Sequence, residues 1–263
     1  MDTSTRLPAL FLSHGSPMLA TEDSPAGRFL DGLGARWPRP RALVVASAHF
    51  AAPGAALGAA PRPETVHDFG GFPPHLYRIA YPAPGAPALA AEIAGRLEAA
   101  GLPPSLRPRQ GLDHGVWVPL RRMYPDADIP VVPLSVSPDR DAAWHHALGR
   151  ALAPLRAEGV LVIGSGGFVH NLGELDWRHR EAPLAPWARE FAEWMSQRLD
   201  AGDHAALLDW ERQAPHARRA HPTTEHLMPL FVAMGAGGDM AATRRLHRSH
   251  EFGTLALDAF AFE

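Results

Sequence analysis

Fully apolar runs alternate with helix-length segments along this chain, and that alternation narrows the fold more than any other feature. Residues 7–13, 42–48 (ALVVASA), 130–136 and 160–165 (VLVIGS) are apolar without the in/out alternation of a half-exposed strand. Strands of this kind are covered on both faces, which is the habit of parallel sheets. Between them lie helical stretches at 25–37, 86–100, 116–123, 139–156, 185–199 and 225–234. Ser24 is placed to cap the first of these, with Pro25 at its opening position, and Gly101 closes the second. Residues 203–220 read as helical but polar. A short strand is expected at 105–109, and segments 243–250 and 254–262 read as a final hairpin. The prediction is an α/β fold: a single domain spanning 1–263, with a mixed, mainly parallel central sheet and helices on both faces. No repeat, low-complexity tract or linker divides the 263 residues. Residues 51–85, rich in Pro, Gly and aromatics, read as a functional loop over a site.

Composition removes several chemistries. The chain has no cysteine, which excludes disulfides, thiolate zinc sites, Cys-ligated iron–sulfur clusters and cysteine nucleophiles. All 25 basic residues are arginine, so there is no Schiff-base lysine and no Walker lysine. The net charge of −3 gives no basic face for nucleic acid. The apolar run at 7–12 is too short for a signal-peptide core and contains Pro8, and no stretch approaches the roughly 20 apolar residues of a membrane span. A soluble, cytoplasmic protein is the expectation. Histidine is abundant instead, at 15 residues, so the molecule changes the sign of its charge below about pH 6.5. Imidazole, carboxylate and hydroxyl are the groups left for chemistry, and imidazole points to a metal.

Three of the buried strands run into a histidine. LFLSHG ends on His14, VVASAHF on His49, and VLVIGSGGFVHN reaches His170 after a glycine-rich turn. Ligand sites in open α/β sheets lie outside the carboxyl ends of the strands, so these three converge on one edge. His114 and His226 each open a helical segment and join the candidates. A single histidine after a strand is ordinarily a hydrogen-bonding loop residue, and that reading is kept for His67, His145, His179 and the other scattered histidines. For the trio, the recurrence favours a metal site, and side chains drawn from distant strands beside a long loop favour an open, catalytic one.

Seven motifs then come in order: SHGSP at 13–17, SAHF at 47–50, HDFGGFP at 67–73, YPAPG at 81–85, LDHGVWVPL at 112–120, GSGGFVHNL at 164–172 and HPTTEHLMPL at 221–230. From about residue 7 onward the chain resembles the class III extradiol ring-cleavage dioxygenases, in the DOPA 4,5-dioxygenase branch. The resemblance implies a non-haem Fe(II) enzyme that opens a catechol beside its diol with O2 to give a semialdehyde. It implies His14, His49 and His226 as metal ligands. It gives His170 as an acid/base, also described as a metal-site histidine, and His114 as a second active-site histidine contacting substrate or oxygen. More distant members use two histidines and a carboxylate. Here Glu225 sits beside His226, and neighbours on a helix point about 100° apart, so one of the two faces the metal. The branch pattern favours His226. A three-histidine site holds Fe(II) less tightly relative to zinc, so Zn(II) is expected in the purified protein and Fe(II) in the working one.

Under this reading a base with a pKa near 7 suits deprotonation of the diol, and His170 is the candidate, with His170 or His114 returning a proton later. Asp113, Asn171 and Ser13 are candidates to orient the rings, or are simply turn and cap residues. Phe69, Phe72, Tyr77 and Tyr81 either wall the substrate pocket or pin the loop. The arginines at 121–122, 218–219 and 244–245 read as solvated surface, with one of them available to a substrate carboxylate. Two other readings stand beside the dioxygenase: a zinc hydrolase on the same scaffold, and a metal-binding scaffold protein without activity.

Overall fold

In the computed structural model, which describes residues 6–239 and 241–263, the four long apolar runs lie side by side at the centre of one sheet. In chain order the elements are β1 (Ala9–Ser13), α1 (Pro25–Leu33), β2 (Ala42–Ala51), β3 (Ala55–Gly58), α2 (Pro87–Ala99), β4 (Pro104–Arg107), α3 (His114–Met123), β5 (Val131–Val136), α4 (Ala142–Leu152) and β6 (Val160–Gly166). They continue with α5 (Pro186–Ala201), the short helices α6 (His204–Leu208), α7 (Trp210–Gln213) and α8 (Ala217–Ala220), then α9 (Met228–Gly237). The chain closes with β7 (Thr243–His247), β8 (His250–Glu251), β9 (Leu255–Ala256) and β10 (Ala259–Phe262). The eight-stranded sheet has the order β4-β3-β5-β2-β6-β1-β10-β7, and β8 and β9 form a separate two-stranded ribbon.

The centre, β5-β2-β6-β1, is parallel; β3 joins β5 antiparallel, and β10 joins both β1 and β7 antiparallel. This is the mixed, mainly parallel sheet that the sequence predicts. Successive residues of the central strands feed opposite cores. Val44, Ala46, Val132, Leu134, Val160 and Val162 pack with α2, α4, α5 and α9. Leu43, Val45, Leu10, Leu12, Leu161 and Ile163 pack with α1 and α3 on the other face. Helix α9 is apolar all round and every residue of it is buried. Among the described residues, no helix is long and apolar enough to cross a membrane.

Several boundaries differ from the sequence reading, each for a local reason. The helix expected at 139–156 becomes 3-10 at Ala153–Glu158, where Pro154 offers no N–H to continue the α ladder. The helix expected from 225 starts at Met228, because Pro229 is tolerated only in a first turn. Glu225 and His226 therefore lie in a turn ahead of α9, so their side chains are not set about 100° apart as helical neighbours are. The polar helix expected at 203–220 is three short ones, with Leu207 and Trp210 fully buried. The first helix stops at Leu33, and the 51–85 connection contains β3 and a 3-10 turn at Leu76–Arg78.

Candidate metal centre

The carboxyl ends of β1, β2 and β6 end at one level. Ser13 pairs with Gly166, and both Leu12 and Ser47 pair with Ser165. His14 is the first residue beyond β1. Further along β2 its register with β5 jumps from Ser47↔Ser135 to Ala51↔Val136, and His49 sits in that irregular stretch. His226 comes from the turn before α9, which crosses directly over β6. A Cβ on Gly166 would stand 2.1 Å from the His226 carbonyl oxygen, and one on Gly164 would stand 2.0 Å from that of Pro229. Two glycines in VLVIGSG thus let the His226 turn lie against the strand. His114 opens α3.

The structure brings His14, His49 and His226 together with ring nitrogens facing one another. His49 Nε2 is 2.9 Å from His14 Nε2 and 3.3 Å from His226 Nε2. The other nitrogen of each ring is committed elsewhere. Ser165 donates its only proton to the Gly115 carbonyl, so at 3.1 Å from His14 Nδ1 its oxygen accepts from that ring. His226 Nδ1 donates to Glu225 Oε1 at 3.0 Å, and His49 Nδ1 faces Asp68 Oδ2 at 3.4 Å. With all three Nδ1 atoms carrying the proton, all three Nε2 atoms present lone pairs to a common point. Bare lone pairs this close repel unless a cation sits among them. Two nitrogens each about 2.1 Å from one ion stand about 3.0 Å apart at a right angle and about 3.4 Å apart at the tetrahedral angle. The donor set fits a metal of the imidazole-preferring kind.

A second cluster, His49, Asp68 and His114, also gathers within 4.8 Å, but Asp68 is taken up there by hydrogen bonds from His114. His114 Nδ1 donates to Asp68 Oδ2 at 2.9 Å, and the His114 backbone N–H donates to Oδ1 at 2.8 Å. Burial pushes the Asp68 carboxyl up, but the hydrogen bonds from the His114 ring and backbone outweigh it and hold it at about 2. Glu225 is likewise held at about 2, its burial outweighed by the bond from His226. Burial, and then the neighbouring imidazoles, push His14 well below the usual histidine value and His49 to about 2. Neutral rings are the form a metal needs.

His170 lies outside the converging trio. Its ring stacks on His226, with centroids 3.4 Å apart and planes 6° apart. Among the described residues no hydrogen bond engages that ring. The sequence reading calls for a base near 7; burial and the adjacent His226 hold His170 at about 2, so it rests neutral.

The ring-orienting partners are Ser165, Asp68 and Glu225, and sequence reasoning missed that role in all three. Asp113 instead accepts from Ser47 at 2.6 Å, Ser13 donates to the Asp258 carbonyl, and Asn171 caps a 3-10 turn. The only early trace of Asp68 is its place in HDFGG, next to His67. Of the loop aromatics, Phe69 and Phe72 line the cavity above the histidines, whereas Tyr81 is buried and donates to the Tyr124 carbonyl. Tyr77 does not line the cavity; it packs on Phe69 and His67. None of the arginines singled out in the sequence lines the cavity.

Residues 8–259 match the family described as the catalytic LigB subunit of aromatic ring-opening dioxygenase. The chain belongs to this family. Within it, the chain is 44% identical over 239 residues to a 4,5-DOPA dioxygenase extradiol of Escherichia coli K12, covering 89% of this chain and 86% of that protein. It is 42% identical to the protein of the same name from Portulaca grandiflora, covering 97% and 95% of the two chains. A crystal structure of an uncharacterized Escherichia coli K12 protein superposes with a TM-score of 0.82 at 36% identity, covering 98% of this chain and 100% of that one. These relatives place the chain in the DOPA-type branch of the extradiol dioxygenases, as an aromatic ring-opening enzyme. None of them favours the hydrolase or the scaffold reading.

Proposed function

We propose that residues 1–263 form a single catalytic domain that opens the ring of a catechol beside its diol, with His14, His49 and His226 holding Fe(II). The observation that carries this is the convergence of three Nε2 lone pairs at 2.9 and 3.3 Å, each ring fixed from behind by Ser165, Asp68 or Glu225. Iron bound there supplies chelation of the diol and activation of O2, chemistry that belongs to the metal. Zn(II) suits the same nitrogens and is the ion expected in protein purified in air.

The chain's own residues supply position and proton transfer. His170 lines the cavity with no hydrogen bond on its ring among the described residues, so it accepts a hydrogen bond from the diol and orients it, while burial and the stacked His226 oppose its holding a full positive charge. Stacking on His226 fixes the plane of that ring, while the backbone N–H of His170 donates to the Ala220 carbonyl at 3.0 Å and anchors its loop. While Asp68 holds its Nδ1–H, His114 has its other ring nitrogen left for the cavity it lines, so it is set to take a proton from the diol, the resulting cation paired with Asp68, and to return that same proton to oxygen. Phe69 stands edge-on to His114, with centroids 5.6 Å apart, and shields this group from bulk water. The proposed partners are a small diol and O2; a net charge of −3 does not suit nucleic acid.

The test is to strip the metal, reload anaerobically with Fe(II) or separately with Zn(II), and follow O2 uptake against the coloured ring-opened product over a panel of catechols. Fe(II)-dependent uptake matched to product supports the proposal. A filled iron site with no uptake on any catechol overturns it and restores the hydrolase reading.

A further inference from the structure

The wall above the histidines has an unusual charge balance for an enzyme whose relatives carry DOPA in their names. The cavity measures about 360 Å3, and among the described residues no arginine lines it. The chain has no lysine anywhere, and residues 1–5 and 240 contain neither arginine nor lysine. Apart from the histidines, the one charged lining residue is Asp68, an anion. Three of the chain's arginines are engaged elsewhere. Arg219 makes a two-pronged pair with Glu174 and lies over the Trp187 ring, Arg122 pairs with Asp31, and Arg180 pairs with Glu22 and Glu251.

The remaining wall is apolar. Phe72, Leu172, Trp177, Phe252 and Leu257 are among its lining residues. Trp177 is 62% exposed and Leu172 52% exposed, the largest exposures among the big apolar side chains of the described residues. The Trp177 ring lies 5.4 Å from that of Phe252. An exposed apolar rim on a cavity marks a ligand groove. A cavity of about 150 Å3 accommodates one benzene ring. The space here therefore holds a catechol ring and a substituent of comparable size.

We propose that the preferred substrates are uncharged catechols bearing an apolar substituent, either a branched alkyl chain or a second aromatic ring, and that carboxylate-bearing and zwitterionic diols are disfavoured. The proposal rests on the ring-opening reading above. An apolar substituent gains by leaving water for the wall formed by Phe72, Trp177 and Phe252. A carboxylate in the same place loses its hydration and meets no arginine or lysine, and Asp68 is the one other charged side chain besides the histidines that lines the cavity.

Two shape-matched diols test this: 4-(3-methylbutyl)catechol and 3-(3,4-dihydroxyphenyl)propanoate, whose side chains have the same number of heavy atoms. The Fe(II)-loaded enzyme is assayed for kcat/KM by O2 uptake, and for Kd by anaerobic difference spectra. At least about a tenfold preference for the alkyl diol is expected in both. Equal or better values for the carboxylate overturn the proposal and leave the dioxygenase intact. Leu172→Arg, at an exposed rim position, is expected to shrink the preference at least threefold by supplying a cation. An unchanged ratio there overturns the assignment of the substituent to this wall. If neither diol binds nor consumes O2, the ring-opening reading itself fails.

Discussion

Ser165→Ala isolates the link between ring tautomer and metal affinity. The hydroxyl of Ser165 donates to the Gly115 carbonyl and accepts from His14 Nδ1 at 3.1 Å, and the residue is fully buried. Its removal leaves one donor and one acceptor without partners, a stability loss of about 2–4 kcal/mol. It also removes what holds the proton on Nδ1. The Nε2–H form then competes, and a ring in that form cannot bind a metal through Nε2. Losing a hydrogen bond of about 1.4 kcal/mol weakens the fraction of competent ring by about tenfold, the lower end of the 10–100-fold range for such partners. Ser135→Ala is the matched control. Ser135 sits on β5, accepts from Ala56 N–H at 2.9 Å and donates to the Gly54 carbonyl at 3.3 Å, and neither contact involves a histidine. Both variants are measured by urea denaturation without metal and by competition with a chelator for Zn(II). Similar stability losses are expected, with the affinity loss confined to Ser165→Ala. Metal affinity in Ser165→Ala within twofold of the parent, at a stability equal to that of Ser135→Ala, refutes the tautomer argument.

Other outcomes follow from the same contacts. Gly166→Ala forces a Cβ against the His226 carbonyl, where 2.1 Å is available, so the His226 turn shifts and metal retention falls at least tenfold, measurable by metal analysis after dialysis. Asp68→Asn removes the carboxylate that His114 and His49 face; metal affinity is expected to fall about 10–100-fold and kcat with it, read by chelator competition and O2 uptake. In acid, the metal-free protein loses stability as pH falls from 6.5 towards 4, because burial holds His145 and His221 at about 4, and the unfolded chain takes up protons that the folded chain refuses. The site imidazoles His14, His49 and His170 act in the same direction. Asp258 opposes them: burial raises it to about 7, so its contribution is present at low pH and is lost as pH rises from 3.8 to 7. Asp258→Asn is therefore expected to steepen the acid-side loss by about 1.4 kcal/mol per pH unit, seen by urea denaturation at several pH values, and an unchanged slope contradicts the assignment.

The parts of the fold that were legible in the sequence are those written in contiguous residues. The runs of β1, β2, β5 and β6 are covered on both faces, so their apolar character is continuous and easily read. Strand β3 is four residues of Ala-Ala-Leu-Gly, with weak strand preference of its own, and it exists because β4 and β5 flank it. The start of α9 was readable in principle from Pro229. The strand-end pattern singled out His14, His49 and His170, His226 entered as a helix-opening candidate, and the motif resemblance ranked His226 above His170 as the third ligand. Their supporting partners were not legible, because each support is a tertiary contact: Ser165 is 151 positions from His14, and Asp68 is 46 from His114. Glu225 is adjacent to His226, but reading it as a rival ligand hid its role as the acceptor behind the ring.

Metal stoichiometry across the histidine variants tests the central claim most directly. Each protein is reloaded anaerobically with Fe(II), dialysed and analysed for iron per chain. Binding of about one ion per chain is expected for the parent, for His114→Ala and for His170→Ala, with near-complete loss in His14→Ala, His49→Ala and His226→Ala. Retention of a full complement by His226→Ala, or loss in His170→Ala as complete as in His14→Ala, contradicts the three-imidazole centre.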